Sequence, residues 1–119
     1  MLRNILVTGA AGYIGGLAVA ALARDARVGT LVALDLREPQ VTAPVVPIAA
    51  DITRADLNGI LREYAIDTVV HLASILKPPV GAPPDLAWRV DVEGTRRLLE
   101  ACIASSVQHL VVTTSGAAY

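Results

Sequence analysis

Three glycines spaced three apart, Gly9, Gly12 and Gly15, separate a short apolar run at residues 4–8 from a helical pattern at residues 13–24. The stretch Thr8-Gly9-Ala10-Ala11-Gly12-Tyr13-Ile14-Gly15-Gly16 constrains the chain more than any other feature. Glycine permits the dihedrals of a tight strand-to-helix turn and removes side chains that would block an anionic group. The free N–H groups and the dipole of the helix that follows attract that anion. With a strand before it and a helix after it, the run reads as a dinucleotide fingerprint, spaced G-x-x-G-x-x-G instead of G-x-G-x-x-G.

Further apolar runs at 30–34, 45–49, 68–72 and 109–113 alternate with helical patterns at 53–64 and 85–105, and that alternation predicts an α/β fold with a parallel sheet. Ile5-Leu6-Val7 and Leu110-Val111-Val112 are continuous and not alternating, as expected of strands covered by helices on both faces. Thr53 with Asp56 reads as a capping box opening the second helix, and Asp85, after Pro83-Pro84, as the N-cap of the third. Projected at about 100° per residue, the third helix carries Val90, Gly94, Leu98, Ala101 and Cys102 on one stripe, expected to pack on the sheet. Trp88, Val92, Leu99 and Ile103 form a second stripe, expected to meet a later helix or another subunit, or else to be scattered surface residues.

The 119 residues suffice for one small domain and are too few for two. No apolar stretch approaches the roughly 18 residues of a membrane helix. The first residues run straight into a strand with no leader pattern, so a cytoplasmic protein is expected. Ten basic and eleven acidic residues leave a net charge of −1, scattered along the chain, which argues against nucleic acid or an anionic membrane as partner. Cys102 is the sole cysteine, and no His/Cys group has metal-ligand spacing, so no metal is expected.

Asp35 ends the second strand twenty positions after Gly15, where a carboxylate reaches the adenosine ribose hydroxyls; the alternative is that it begins a turn. An anion there repels a 2′-phosphate, which favours NAD over NADP, although nearby Arg37 keeps NADP open.

Taken together, Thr-Gly-Ala-Ala-Gly-Tyr-Ile-Gly at 8–15, Asp35, Asp51-Ile52, His71-Leu72-Ala73, Val92-Glu93-Gly94-Thr95 and Thr114-Ser115 with Tyr119 resemble the extended short-chain dehydrogenase/reductase family. Within it they are similar to the amino-terminal portion of NAD-dependent nucleotide-sugar epimerases and dehydratases. The resemblance implies a Rossmann-type sheet of strand order 3-2-1-4-5, incomplete within residues 1–119. It also implies hydride transfer at a carbinol carbon of a small-molecule substrate such as a nucleotide sugar. The second stripe, for its part, leads to the expectation of a homodimer when full length. Gly9, Gly12, Tyr13 and Ile14 would hold the pyrophosphate turn. Asp51 would take the adenine amine and Ile52 pack on its ring, unless Asp51 only caps the helix near Thr53. Leu72, Ala73 and Ser74 would lie along the pyrophosphate and ribose. Ser115 matches the catalytic serine or threonine of the family, with Thr114 the fallback and a turn cap the alternative. Tyr119 matches an aromatic of the same motif and is not the catalytic tyrosine. His71 reads as a structural strand-end histidine before a catalytic one.

Two departures stand out. The Tyr-x-x-x-Lys pair that supplies the family's general base is missing, since Tyr13 and Tyr64 have no lysine four positions on and the sole lysine is Lys77. Asp91 replaces the asparagine of Asn-Val-x-Gly-Thr, which would favour the oxidised nicotinamide ring. Two functions therefore stay open: the cofactor-binding part of a longer oxidoreductase, epimerase or dehydratase, or a non-catalytic dinucleotide-binding or interaction module. The loop at 77–84 is the one candidate for substrate contact.

Overall fold

A computed structural model describes residues 2–74 and 79–113. Five strands, β1 (Arg3–Thr8), β2 (Val28–Asp35), β3 (Val46–Ala49), β4 (Thr68–His71) and β5 (His109–Val112), pair in parallel in the order β3-β2-β1-β4-β5. The predicted α/β class and strand order are thus the observed ones. β2 is longer than expected at both ends, and β4 stops one residue earlier.

Successive residues of the central strands point to opposite faces, so continuous apolar runs feed two cores. Leu6, Val32, Leu34 and Val69 pack on one side with Leu57, Leu61, Leu98, Ala101 and Cys102. Ile5, Val7, Leu31 and Ala33 pack on the other with Val19. Leu6, Val7, Val32 and Val69 are wholly shielded from solvent, each contributing on the order of 1.5–3 kcal/mol relative to exposure. The helices that cover these faces are α1 (Tyr13–Ala23) on the second side and α2 (Leu57–Glu63) and α4 (Thr95–Ala104) on the first.

The helical segment from residue 86 to 104 has three parts: α3 (Leu86–Trp88), a π-helical stretch (Arg89–Gly94) and α4. Both sequence-predicted stripes keep their faces across it. Gly94, Leu98, Ala101 and Cys102 are buried and Val90 half-buried, whereas Trp88, Val92, Leu99 and Ile103 are exposed.

One capping expectation is corrected and the other holds by position. Thr53 does not open α2, because its N–H and hydroxyl both donate to Asp51 Oδ1 (2.9 and 2.6 Å) and the chain makes a separate turn first. The cap is Asp56, which accepts from the Gly59 N–H at 3.0 Å. Asp85 does hold the N-cap position of α3, but its side chain caps nothing; it pairs with Arg89 one turn on, at 3.3 Å.

The chain runs outward from β1 through β2 to β3, then crosses back to β4 on the other side of β1. That reversal separates the connections leaving the carboxyl ends of β1 and β4 and opens a crevice between them.

No helix among the described residues is long and apolar enough to cross a membrane. Among the same residues, no group of three or more His, Cys, Asp or Glu could hold a metal ion.

Candidate functional site

The turn after β1 is shaped by backbone approach. Gly9 has φ +73°, and a Cβ there would lie 2.6–2.7 Å from the backbone of Leu72 and Ala73. A Cβ on Gly15 would strike the Gly9 carbonyl. Glycine at these positions therefore lets the β1 turn, the β4 end and α1 come together. Among the described residues no side chain caps α1, whose N-cap is Gly12 and whose first turn carries no acidic residue. Its leading N–H groups and positive dipole end are thus left to an outside acceptor.

Around this turn lies a cleft of about 510 Å³, lined by Gly9, Gly12, Asp35, Asp51, Ile52, Leu72, Ala73 and Ser74 among the predicted site residues. Tyr13 and Ile14 do not line it, and these residues are 81% and 58% exposed. Leu36, Arg37, Pro79 and Val90 also contribute to the walls. Of these, Val90 belongs to the sheet-facing stripe, packs against the core and lies in the π-helical stretch. Ser115, Thr114, Tyr119 and Lys77 lie outside the described residues.

Asp35 Oδ2 accepts from the Ala11 N–H at 2.8 Å and Oδ1 from its neighbour Leu36 at 2.6 Å, so the carboxylate ties the end of β2 to the glycine turn. The Thr53 hydroxyl holds the Asp51 carboxyl below its ordinary range; burial opposes this, and the Thr53 N–H, Arg54 and Arg89 reinforce it. Asp51 is therefore an anion at neutral pH, with Oδ1 occupied by Thr53.

Beneath the cleft, His71 is 3% exposed and bridges two hydroxyls, Nδ1 to Thr8 Oγ1 and Nε2 to Thr95 Oγ1, both at 2.7 Å. Thr8 Oγ1 also accepts from the N–H groups of Leu72 (3.1 Å) and Ala73 (3.3 Å). With both lone pairs taken, the Thr8 hydroxyl must donate to Nδ1, and His71 carries its proton on Nε2, donating to Thr95. Burial pushes the imidazole below its ordinary value, with the charge of Asp91 pulling the other way. This histidine is a neutral link in the floor of the cleft, in agreement with its structural reading. Neither threonine is legible in the sequence as its partner, because 63 residues separate Thr8 from His71 and 24 separate His71 from Thr95.

A parallel sheet of order 3-2-1-4-5, with a glycine turn and an uncapped helix at its carboxyl edge, defines a Rossmann-like α/β protein. More particularly, the chain belongs to the NAD dependent epimerase/dehydratase family, whose model matches residues 5–119. It is 38% identical to a UDP-glucose 4-epimerase of Mycolicibacterium smegmatis, over 93% of this chain and 38% of that protein. Among solved structures it resembles UDP-glucose-4-epimerase from Stenotrophomonas maltophila with bound NAD and formylated UDP-arabinopyranose. There the identity is 32% and the TM-score 0.78, over 97% of this chain and 38% of the other. UDP-glucose 4-epimerase from Brucella ovis in complex with NAD is similar at 30% identity and TM-score 0.81, over 98% of this chain and 37% of the other. The chain thus spans well under half the length of these relatives.

Proposed function

We propose that the cleft at the carboxyl edge of the sheet binds NAD, and that the chain supplies the cofactor-binding part of a nucleotide-sugar epimerase, dehydratase or related oxidoreductase. The observation that carries this reading is the convergence of the glycine turn, Asp35, Asp51 and residues 72–74 on one cleft. The structural relatives with bound NAD support it.

The residues fit the group. The Gly9–Gly12 turn leaves room for a pyrophosphate, and the uncapped start of α1 offers it N–H groups. Tyr13 and Ile14 act there through their backbone, which accounts for side chains that point elsewhere. Asp35 receives the ribose hydroxyls of the adenosine and disfavours a 2′-phosphate, so NAD is preferred to NADP although Arg37 lines the same cleft. Asp51 accepts from the adenine amine, Ile52 flanks the ring, and Leu72, Ala73 and Ser74 follow the backbone of the cofactor. When bound, the nicotinamide supplies a hydride acceptor for a carbinol carbon of the substrate. Ser115, at the end of the β5 connection in sequence, hydrogen-bonds the reacting oxygen. The substrate is a nucleotide sugar, and the exposed stripe of Trp88, Val92, Leu99 and Ile103 is the contact between two copies of the full-length protein.

Titration of the full-length protein with NAD and NADP tests the cofactor. NAD is expected to bind at least about tenfold more tightly, and Asp35→Ala to remove most of that preference. Equal or tighter binding of NADP to the unaltered protein would refute the Asp35 assignment, and binding of neither would refute the whole reading.

A further inference from the structure

The segment that brings Asp51 to the cleft is not part of any strand or helix, so something must hold its shape. Within the turn, the Asp51 carbonyl accepts from the N–H groups of Arg54 (2.9 Å) and Ala55 (2.7 Å). Its carboxylate takes the N–H and hydroxyl of Thr53. The direction of the carboxylate is therefore fixed by the conformation of residues 51–55 as a unit.

That unit is gripped from α4. Arg97 donates from Nη1 to the Ile52 carbonyl at 2.6 Å and from Nη2 to the Ala55 carbonyl at 2.9 Å, one guanidinium fork spanning both carbonyls. Such charge-assisted bonds are about twice as strong as neutral ones, and the planar fork fixes the separation of its acceptors. One helical turn before Arg97, Gly94 leaves the space into which Ile52 seats; a Cβ there would lie 2.8 Å from Ile52 Cγ2. The base of the grip is rigid, because Leu98, Ala101 and Cys102 of the same helix are buried in the core beneath. The cations whose charge bears on the Asp51 carboxyl are Arg54 and Arg89. Arg97 acts on the turn through its backbone.

We propose that Arg97 is a positioning residue for adenine recognition, holding the 51–55 turn so that the Asp51 carboxylate faces the exocyclic amine. The proposal rests on the NAD reading above and deepens it. It predicts that loss of Arg97 erases discrimination at the adenine edge more than it weakens binding in general. Adenine offers an amine where hypoxanthine carries a carbonyl oxygen, which a carboxylate repels.

The test titrates full-length protein with NAD and with nicotinamide hypoxanthine dinucleotide, with thermal unfolding followed in parallel. Unaltered protein is expected to favour NAD by about tenfold or more. In Arg97→Leu the NAD affinity is expected to fall by about tenfold while that of the hypoxanthine analogue changes by less than about threefold, so the ratio collapses. Arg97→Lys, which keeps the charge and loses the fork, is expected to retain an intermediate ratio, and it carries the test if the leucine variant does not fold. Equal weakening of both dinucleotides, with the ratio kept, would mean that Arg97 serves the fold alone and would overturn the proposal. Should unaltered protein bind NAD without discriminating the two, the Asp51 assignment falls and this proposal with it, while NAD binding stands. Binding of neither dinucleotide would overturn the cofactor reading itself.

Discussion

At the amino end of the sheet, side chains close the backbone on itself, whereas at the carboxyl end the backbone is left open above a closed floor. Asn4 Oδ1 accepts from the Thr30 N–H (3.1 Å) and its Nδ2 donates to the Ala65 carbonyl (3.0 Å), joining β1 to β2 and to the turn before β4. Asp67 completes the seam by accepting from the Asn4 N–H at 2.8 Å and the Thr68 hydroxyl at 2.6 Å. At the other end, the Thr8, His71 and Thr95 chain ties β1, β4 and α4 together and Asp35 takes the Ala11 N–H of the glycine turn, but among the described residues no side chain caps the start of α1. Strand ends and helix starts present the same kinds of backbone group at both edges, and each must find a partner. Where the chain's own polar side chains do not supply one, a ligand can.

The most severe way to break this difference is to add one carbon to the open end. Gly9→Ala places a Cβ against the Leu72–Ala73 backbone at a residue whose φ is +73°. The left-handed conformation and the overlap together are expected to lower unfolding free energy by about 3 kcal/mol and to abolish NAD binding. Urea unfolding and an NAD titration on the full-length protein check both. A loss under about 1 kcal/mol with binding retained would show that the close approach is not needed.

A smaller perturbation separates the two ends. Thr8→Val keeps the shape of the side chain but leaves the Ala73 N–H and His71 Nδ1 without the hydroxyl that serves them; the Leu72 N–H still reaches the Thr8 carbonyl at 3.1 Å. A loss of about 2 kcal/mol is expected, with weaker NAD binding because the floor residues Leu72 and Ala73 shift. Asn4→Ala removes two partly exposed hydrogen bonds at the far end and is expected to cost about 1 kcal/mol with NAD affinity unchanged. If Asn4→Ala weakened NAD as much as Thr8→Val, the division of the sheet into a closed and an open end would fail.

Part of this division is legible in the amino-acid sequence. Continuous runs such as Ile5-Leu6-Val7 identify strands that need cover on both sides and so a parallel sheet, while its order comes from the family resemblance. Gly9 and Asp35 read as one site because one follows a strand and the other ends one, and in a parallel sheet the strand ends share an edge; the family resemblance adds Asp51 and Leu72. What is not legible depends on partners distant in sequence or on local competition. Thr53 has the spacing of a helix cap, and spacing alone cannot show that Asp51 takes its hydroxyl first. Apolar periodicity also does not reveal the π-helical stretch at Arg89–Gly94. Arg97 resembles any solvated helix charge until α4 is seen to lie against the 51–55 turn.

The mildest probe of the comparison is pH, since His71 at the open end and Asp67 at the closed end are both displaced downward from their ordinary values. His71, buried and neutral in the floor of the open end, has its imidazole below the ordinary 6.5. Below that value the unfolded chain binds a proton that the folded one refuses, so stability is full above about pH 6.5 and declines as pH falls through it. Protonation would demand an acceptor at Nδ1, and Thr8 Oγ1 already receives two N–H groups. At the closed end, burial works against ionisation of Asp67, but the Asn4 N–H, the Thr68 hydroxyl and the charges of Arg3 and His109 together outweigh it and hold the carboxyl below its ordinary 3.8. Its contribution is present above that value and is lost only as pH falls further, through the folded value. Acid unfolding should therefore weaken the protein in two separate windows, an upper one set by His71 and a lower one to which Asp67 contributes together with the likewise lowered carboxyl of Asp51. His71→Gln is expected to flatten the upper window and leave the lower one, and Asp67→Asn to shrink the lower one and leave the upper, both read from urea midpoints between about pH 3 and 8. A single window that responds to both substitutions would mean that the two ends share one polar network, and the contrast between them would then be one of geometry alone.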